Sequence, residues 1–235
     1  MKKKSYSKIK SYSVLRAPGS QPVHSLLIEI HDVKLHAENM IATISDKTWL
    51  DDLGAYDKIS FTAMAQPTID KLVDDIFNKI ETAITEDFGE YMISMSAQDV
   101  LHKFKKHIKL PLAELLKEKI IGNPGFDFHT ETTGSTVSFG EAKYGGTVTK
   151  YSDALTQIED FITKKKDSME FRAILPFLSD DAKENFATFD NKAFTAAFSI
   201  NAKNPFKVME NAKKHASTLT LSKKHEVFLV GVEVL

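Results

Sequence analysis

The chemistry in this chain centres on one short stretch, GFDFHTETTGSTVSFGEAKY, which spans residues 125–144. Side chains of an extended strand point alternately to its two faces. In TVSFGEAKY this rule puts Val137, Phe139, Glu141 and Lys143 on one face and the small residues Gly140 and Ala142 on the other, leaving room for a helix. In GFDFH it separates Asp127 from Phe126 and Phe128. A hairpin turning near Gly134 then brings Asp127 beside Glu141 and Lys143, anchored by apolar neighbours. Two carboxylates offer hard oxygen ligands for Mg²⁺ (or Mn²⁺), and the Ala142 carbonyl offers a further oxygen. A metal held there acidifies water and neutralises charge that builds on a phosphate. Lys143 supplies positive charge to the attacking water or the scissile phosphate.

Several elements are needed to position this hairpin. LLIEIHDVKLH (26–36) alternates and predicts a strand. After Pro67, Ile69, Leu72, Val73, Ile76, Phe77, Ile80, Ala83 and Ile84 recur at helical spacing, opposite Asp70, Asp74, Asp75 and Glu81. Helical patterns follow over 87–105 and over 111–121, the latter opened by Pro111 and stopped by Gly122, Asn123, Pro124 and Gly125. Beyond the hairpin, KYSDALTQIEDFITKKK predicts an amphipathic helix on Leu155, Ile158 and Ile162. Helices are expected near 181–198 and 205–218, and EVFLVGVEVL predicts a last strand. Residues 1–22 read as a loose basic lead-in. The order predicts an α/β protein: an N-terminal extension, 1–66, packed on a core of residues 67–235.

Pro124-Gly125-Phe126-Asp127 followed by Glu141-Ala142-Lys143 resembles the signature of the PD-(D/E)xK nuclease superfamily, which holds restriction endonucleases, RecB-type nucleases and Holliday junction resolvases. The usual Pro-Asp pair is split here by Gly125 and Phe126. The resemblance implies a restriction-endonuclease-like αβββαβ core with an added N-terminal strand and helix region. It implies Asp127 and Glu141 as metal ligands and Lys143 as the catalytic lysine. Members often carry a glutamate on the helix before the hairpin, for which Glu90 is the first candidate and Glu114 the second, and a glutamine on the helix after it, here Gln157. The layout is also similar to the nuclease subunit of Hachiman-type antiphage defence systems, which works beside a helicase.

Composition narrows the rest. With no cysteine there are no disulfides, thiolate zinc sites or cysteine nucleophiles, which fits a cytoplasmic protein. The basic N-terminus lacks the apolar core of a secretory signal, and no stretch has the ~18 apolar residues of a membrane span. With 31 basic residues against 32 acidic ones, no global field draws the chain to DNA. A partner such as a helicase, or a homo-oligomer, is therefore expected to complete DNA binding. Lys103, Lys105, Lys106, Lys109 and Lys164 to Lys166 read as solvated helix faces, and as phosphate contacts if the chain cuts DNA. His24, His31 and His36 fit no ligand spacing and read as strand-surface residues, whereas His129 shares a strand face with Asp127. Two alternatives remain: RNA as the substrate, and a catalytically inactive nuclease-fold module that binds nucleic acid or a protein. The plain structural reading of the motif is a surface hairpin with an exposed salt bridge.

Overall fold

A computed structural model of the 235-residue chain describes residues 8–77, 84–116 and 125–235. In chain order the elements are β1 (Lys8–Leu15), β2 (Val23–Ile30), α1 (Val33–Ile44), α2 (Ala55–Lys71), a π-helical segment (Leu72–Phe77) and α3 (Glu86–Lys105). Then come β3 (Ile108–Lys109), α4 (Ala113–Leu116), β4 (Phe128–Glu131), β5 (Val137–Lys143), α5 (Tyr151–Thr163) and α6 (Lys166–Ile174). The last are α7 (Asp180–Phe189), β6 (Lys192–Ile200), α8 (Pro205–Thr218), α9 (Thr220–Lys224) and β7 (Glu226–Val234).

One seven-stranded mixed sheet runs β1-β2-β7-β6-β5-β4-β3. The neighbours β2–β7, β7–β6 and β6–β5 are parallel, while β1, β4 and β3 add antiparallel edges. Every residue of β2 and β6 is buried, as expected when parallel strands are covered on both faces. On one face Leu27, Phe139, Phe194 and Leu229 pack with Leu155 and Ile158 of α5 and Met209 and Ala212 of α8. On the other, Ile28, Phe128, Ala142 and Val230 meet Met40 of α1, Ile69 of α2 and Met92 and Ile93 of α3. The molecule is thus a mixed α/β structure of helices, sheet and helices. Among the described residues no helix is long and apolar enough to cross a membrane.

Several expectations are corrected. The strand expected over 26–36 ends at Ile30, because the Asp32 carboxylate accepts the Leu35 N–H and caps α1. His36 therefore lies on a helix, buried against Ser96, and His24 is buried between Tyr12 and Phe228 rather than on the surface. The helix expected after Pro67 begins at Ala55 and passes through Pro67, so residue 66 falls within α2. Positions 78–83 of that pattern, and 117–124 with their stop signal, lie outside the described residues. The helix expected over 181–198 stops at Phe189, where Asp190 turns left-handed, and Lys192–Ile200 is β6. The lead-in contains an edge strand, β1.

Candidate active site

The hairpin forms as expected: β4 and β5 pair antiparallel with Phe128 opposite Gly140. A Cβ at Gly140 would run into the Phe128 ring, so the missing side chain makes room for the cross-strand phenyl rather than for a helix. Asp127 lies one residue before β4, where regular pairing has just ended. Its N–H donates to the Gly140 carbonyl (2.9 Å) and its carbonyl accepts from Ala113 N–H (3.3 Å). Its Oδ2 accepts from the Ala142 N–H at 2.7 Å. The Asp127 carboxylate therefore continues the β4–β5 ladder by one rung with a side chain, which fixes it beside the Glu141–Ala142–Lys143 run.

Glu141 is 1% exposed. Its Oε1 accepts from Lys143 Nζ at 2.8 Å, and its Oε2 is a buried oxygen without a hydrogen-bond partner among the described residues. Burial, reinforced by the Asp127 charge and opposed by Lys143, pushes its carboxyl well above the usual carboxylate range. Lys143 also reaches Glu90 Oε1 at 3.5 Å. Burial works against the Lys143 ammonium, but Glu141, Glu90 and Asp127 outweigh it and hold the lysine charged beyond its ordinary range. Burial raises Glu90 too, against the pull of Lys143.

Glu90 reaches the site because α3 lies close to the end of β5. Its neighbour Gly89 has no Cβ, and the Tyr144 ring occupies that space. A cleft of about 430 Å³ opens in front of Asp127, lined by Lys71, Asp87, Glu90, Tyr91, Ser94 and Glu114 among others. Glu90 and Glu114 thus share one cleft, but Glu90 is the one paired with the lysine, while Glu114 hydrogen-bonds the Tyr91 phenol, whose pKa burial and that carboxylate raise. Gln157 is half-buried on α5 and takes no part in the contacts linking Asp127, Glu141, Lys143 and Glu90.

Three carboxylates therefore face one ammonium, a deficit of two positive charges if all ionise. No group of three His, Cys, Asp or Glu residues converges as a metal cage among the described residues. Two carboxylates, one with a partnerless buried oxygen, fit a small divalent cation that keeps most of its waters. The donors are oxygens only, which suits Mg²⁺ or Mn²⁺ better than softer metals.

Sequence reasoning placed a helix after Pro67 but did not bring it to the site, where Pro67, Thr68 and Lys71 of α2 form one wall of the cleft. It also left His129 open between substrate contact and structure. The histidine is buried and its Nε2 lies 3.1 Å from Glu170 Oε2, away from solvent. Only the burial of Glu170 on α6, a residue without a motif, reveals this partner. In comparison with known proteins, no family model and no curated protein matches the chain.

Proposed function

We propose that this protein is a metal-dependent nuclease of the PD-(D/E)xK, restriction-endonuclease-like kind that hydrolyses DNA phosphodiesters in restriction or antiphage defence. The observation that carries the reading is the buried Oε2 of Glu141, which has no hydrogen-bond partner among the described residues and is set beside Asp127 and Lys143. A structural salt bridge needs only Oε1, and burying a second carboxylate oxygen without a partner costs about 1–3 kcal/mol. That cost is explained if the oxygen has a ligand in the working state. The order α3, β3, α4, β4, β5, α5, α6, α7, β6 supports the reading, because it contains a helix, three strands, a helix and a strand in the sequence of that superfamily, with α4, α6 and α7 as additions.

In this reading Asp127, Glu141 and the Ala142 carbonyl hold Mg²⁺ or Mn²⁺. The bound cation would acidify water and neutralise charge on the phosphate. Lys143, kept charged by its carboxylates, orients the attacking water and offsets the negative charge of the transition state. Hydrolysis joins a water oxygen to phosphorus and breaks one P–O ester bond, the leaving oxygen taking up a proton. Glu90 holds Lys143 from the α3 side, so the ammonium is shared between Glu90 and Glu141 rather than held by Glu141 alone.

The chain works with a partner, a helicase as in Hachiman-type systems or a second copy of itself. Support comes from the even charge balance, 31 basic residues against 32 acidic, and from a cleft whose charged lining is mostly acidic. The test is incubation of plasmid, linear DNA and RNA with the purified chain in Mg²⁺, Mn²⁺ or EDTA, with and without its partner. Metal-dependent cleavage of DNA is the expected result; no cleavage of any substrate under any condition would overturn the reading.

A further inference from the structure

Asp127 stands where the chain leaves the sheet, so its placement needs support from outside the β4–β5 ladder. Glu170 supplies a contact on each side of it. Its Oε1 accepts the Phe126 N–H at 3.0 Å, and its Oε2 lies 3.1 Å from Nε2 of His129. Phe126 is one residue before Asp127 and His129 two after, so one carboxylate spans the strand start like a clamp. All three side chains are buried, and Phe126 N–H points into the interior rather than to a sheet neighbour.

Local sequence explains how the carboxylate gets there. Lys166, Glu170 and Ile174 are spaced four apart on α6 and all three are buried, so they form one stripe turned inward. Lys165 caps the start of α6, and its left-handed φ of 56° turns the chain sharply after α5. His129 is fixed in turn, its ring edge-on to Phe139 at 5.3 Å. Both ends of the Glu170 clamp therefore rest on rigid parts of the core.

We propose that Glu170 is a positioning residue that sets the Asp127 carboxylate at the Ala142 N–H, and through it the geometry of the cation site. Glu170 touches neither substrate nor cation. It acts because Asp127 lies one residue before β4, and Glu170 fixes the backbone at Phe126 and the side chain at His129 on either side of it. The cation part of this inference rests on the nuclease reading above, whereas the clamp itself does not.

Three variants of the full chain test it: Glu170→Ala, Glu170→Gln and Glu131→Ala. Glu131 is a buried glutamate of the same strand, but it binds Ser179 N–H (3.0 Å) and Oγ (2.6 Å) at the start of α7, remote from Asp127 in the bonding network. It therefore reports what loss of a buried carboxylate does in general. The first readout is residue-resolved amide exchange at Ala142 in metal-free protein, since that N–H is held by Asp127 Oδ2. Phe126 itself would respond under any role; Ala142 responds only if Asp127 moves. Glu170→Ala should speed Ala142 exchange roughly five- to ten-fold and weaken Mn²⁺ binding by about 10- to 100-fold, as loss of supports around metal ligands does. Glu170→Gln should restore both, because its amide oxygen can accept from Phe126 while its NH₂ donates to His129. Glu131→Ala should leave both near wild type. Unchanged Ala142 exchange in Glu170→Ala, or an equal change in Glu131→Ala, overturns the inference. If Ala142 exchange follows Glu170 but the wild-type protein binds no Mn²⁺, the clamp stands and the nuclease reading fails.

Discussion

A cation that satisfies the buried Glu141 Oε2 must stabilise the fold, and the size of the effect can be worked out. A ligand that binds only the folded state contributes RT ln(1 + [L]/Kd), about 2.7 kcal/mol at a free concentration of 100 Kd. For a chain of 235 residues, 1 kcal/mol moves the melting temperature by roughly 2–4 °C, so Mn²⁺ at that level should raise it by roughly 5–11 °C. On the proposed reading Asp127→Ala removes one ligand. Glu141→Gln removes the other while keeping its volume. Because burial and Asp127 already push metal-free Glu141 towards its protonated form, the Gln variant without metal should melt close to wild type. Both variants should lose most of the Mn²⁺ shift, so the contrast appears only on adding metal. Differential scanning calorimetry with Mn²⁺ and with EDTA reads it directly. A wild-type shift of zero, or shifts of the same size in all three proteins, would refute the assignment of these carboxylates.

Other consequences are as specific. Lys143→Ala should lower single-turnover cleavage by about 10²–10³, the typical cost of one removed electrostatic contact to a transition state. Its calorimetric Mn²⁺ affinity should stay within a few-fold, because the lysine is not a ligand. Gly140→Ala places a methyl against the Phe128 ring and should cost about 1–3 kcal/mol in urea unfolding, with no new polar defect. His107 is buried against Phe228 and Thr130. Burial, opposed by the Glu226 charge and helped by Lys105, lowers its pKa from 6.5 to about 4. Below pH 6.5 the unfolded chain takes up a proton that the folded one refuses, so stability is lost as pH falls towards 4. The loss reaches about 3 kcal/mol. Urea midpoints of His107→Gln should therefore fall less steeply over that range than those of wild type.

How far the sequence reveals this structure depends on the physical signal each element carries. The β4–β5 hairpin is legible because its charged residues interrupt a period-two apolar pattern at Asp127, Glu141 and Lys143. β7 is legible as a run of valines and other strand formers. β6, KAFTAAFSI, is not: it is buried on both faces, so it shows no alternation, and its three alanines favour a helix in isolation. β1 is hidden for the opposite reason, as an edge strand whose lysines and serines look like a loop until β2 pairs with it. Proline at position 67 reads as a boundary, yet α2 continues past it. At the site, type and spacing pick out Asp127, Glu141 and Lys143 and rank Glu90 above Glu114. They cannot find Glu170, which reaches Phe126 and His129 on either side of Asp127 only through the packing of α6.

The central claim is that Asp127 and Glu141 together make a metal-dependent cutting site. Its most direct test is single-turnover cleavage of supercoiled plasmid by wild type, Asp127→Ala and Glu141→Ala, with any required partner present, in Mg²⁺ and in EDTA. The account predicts that wild type nicks or linearises the plasmid in Mg²⁺ and is silent in EDTA, while both variants, folded by circular dichroism, are silent in either. Cleavage at the wild-type rate by both variants, or by wild type in EDTA, would contradict it.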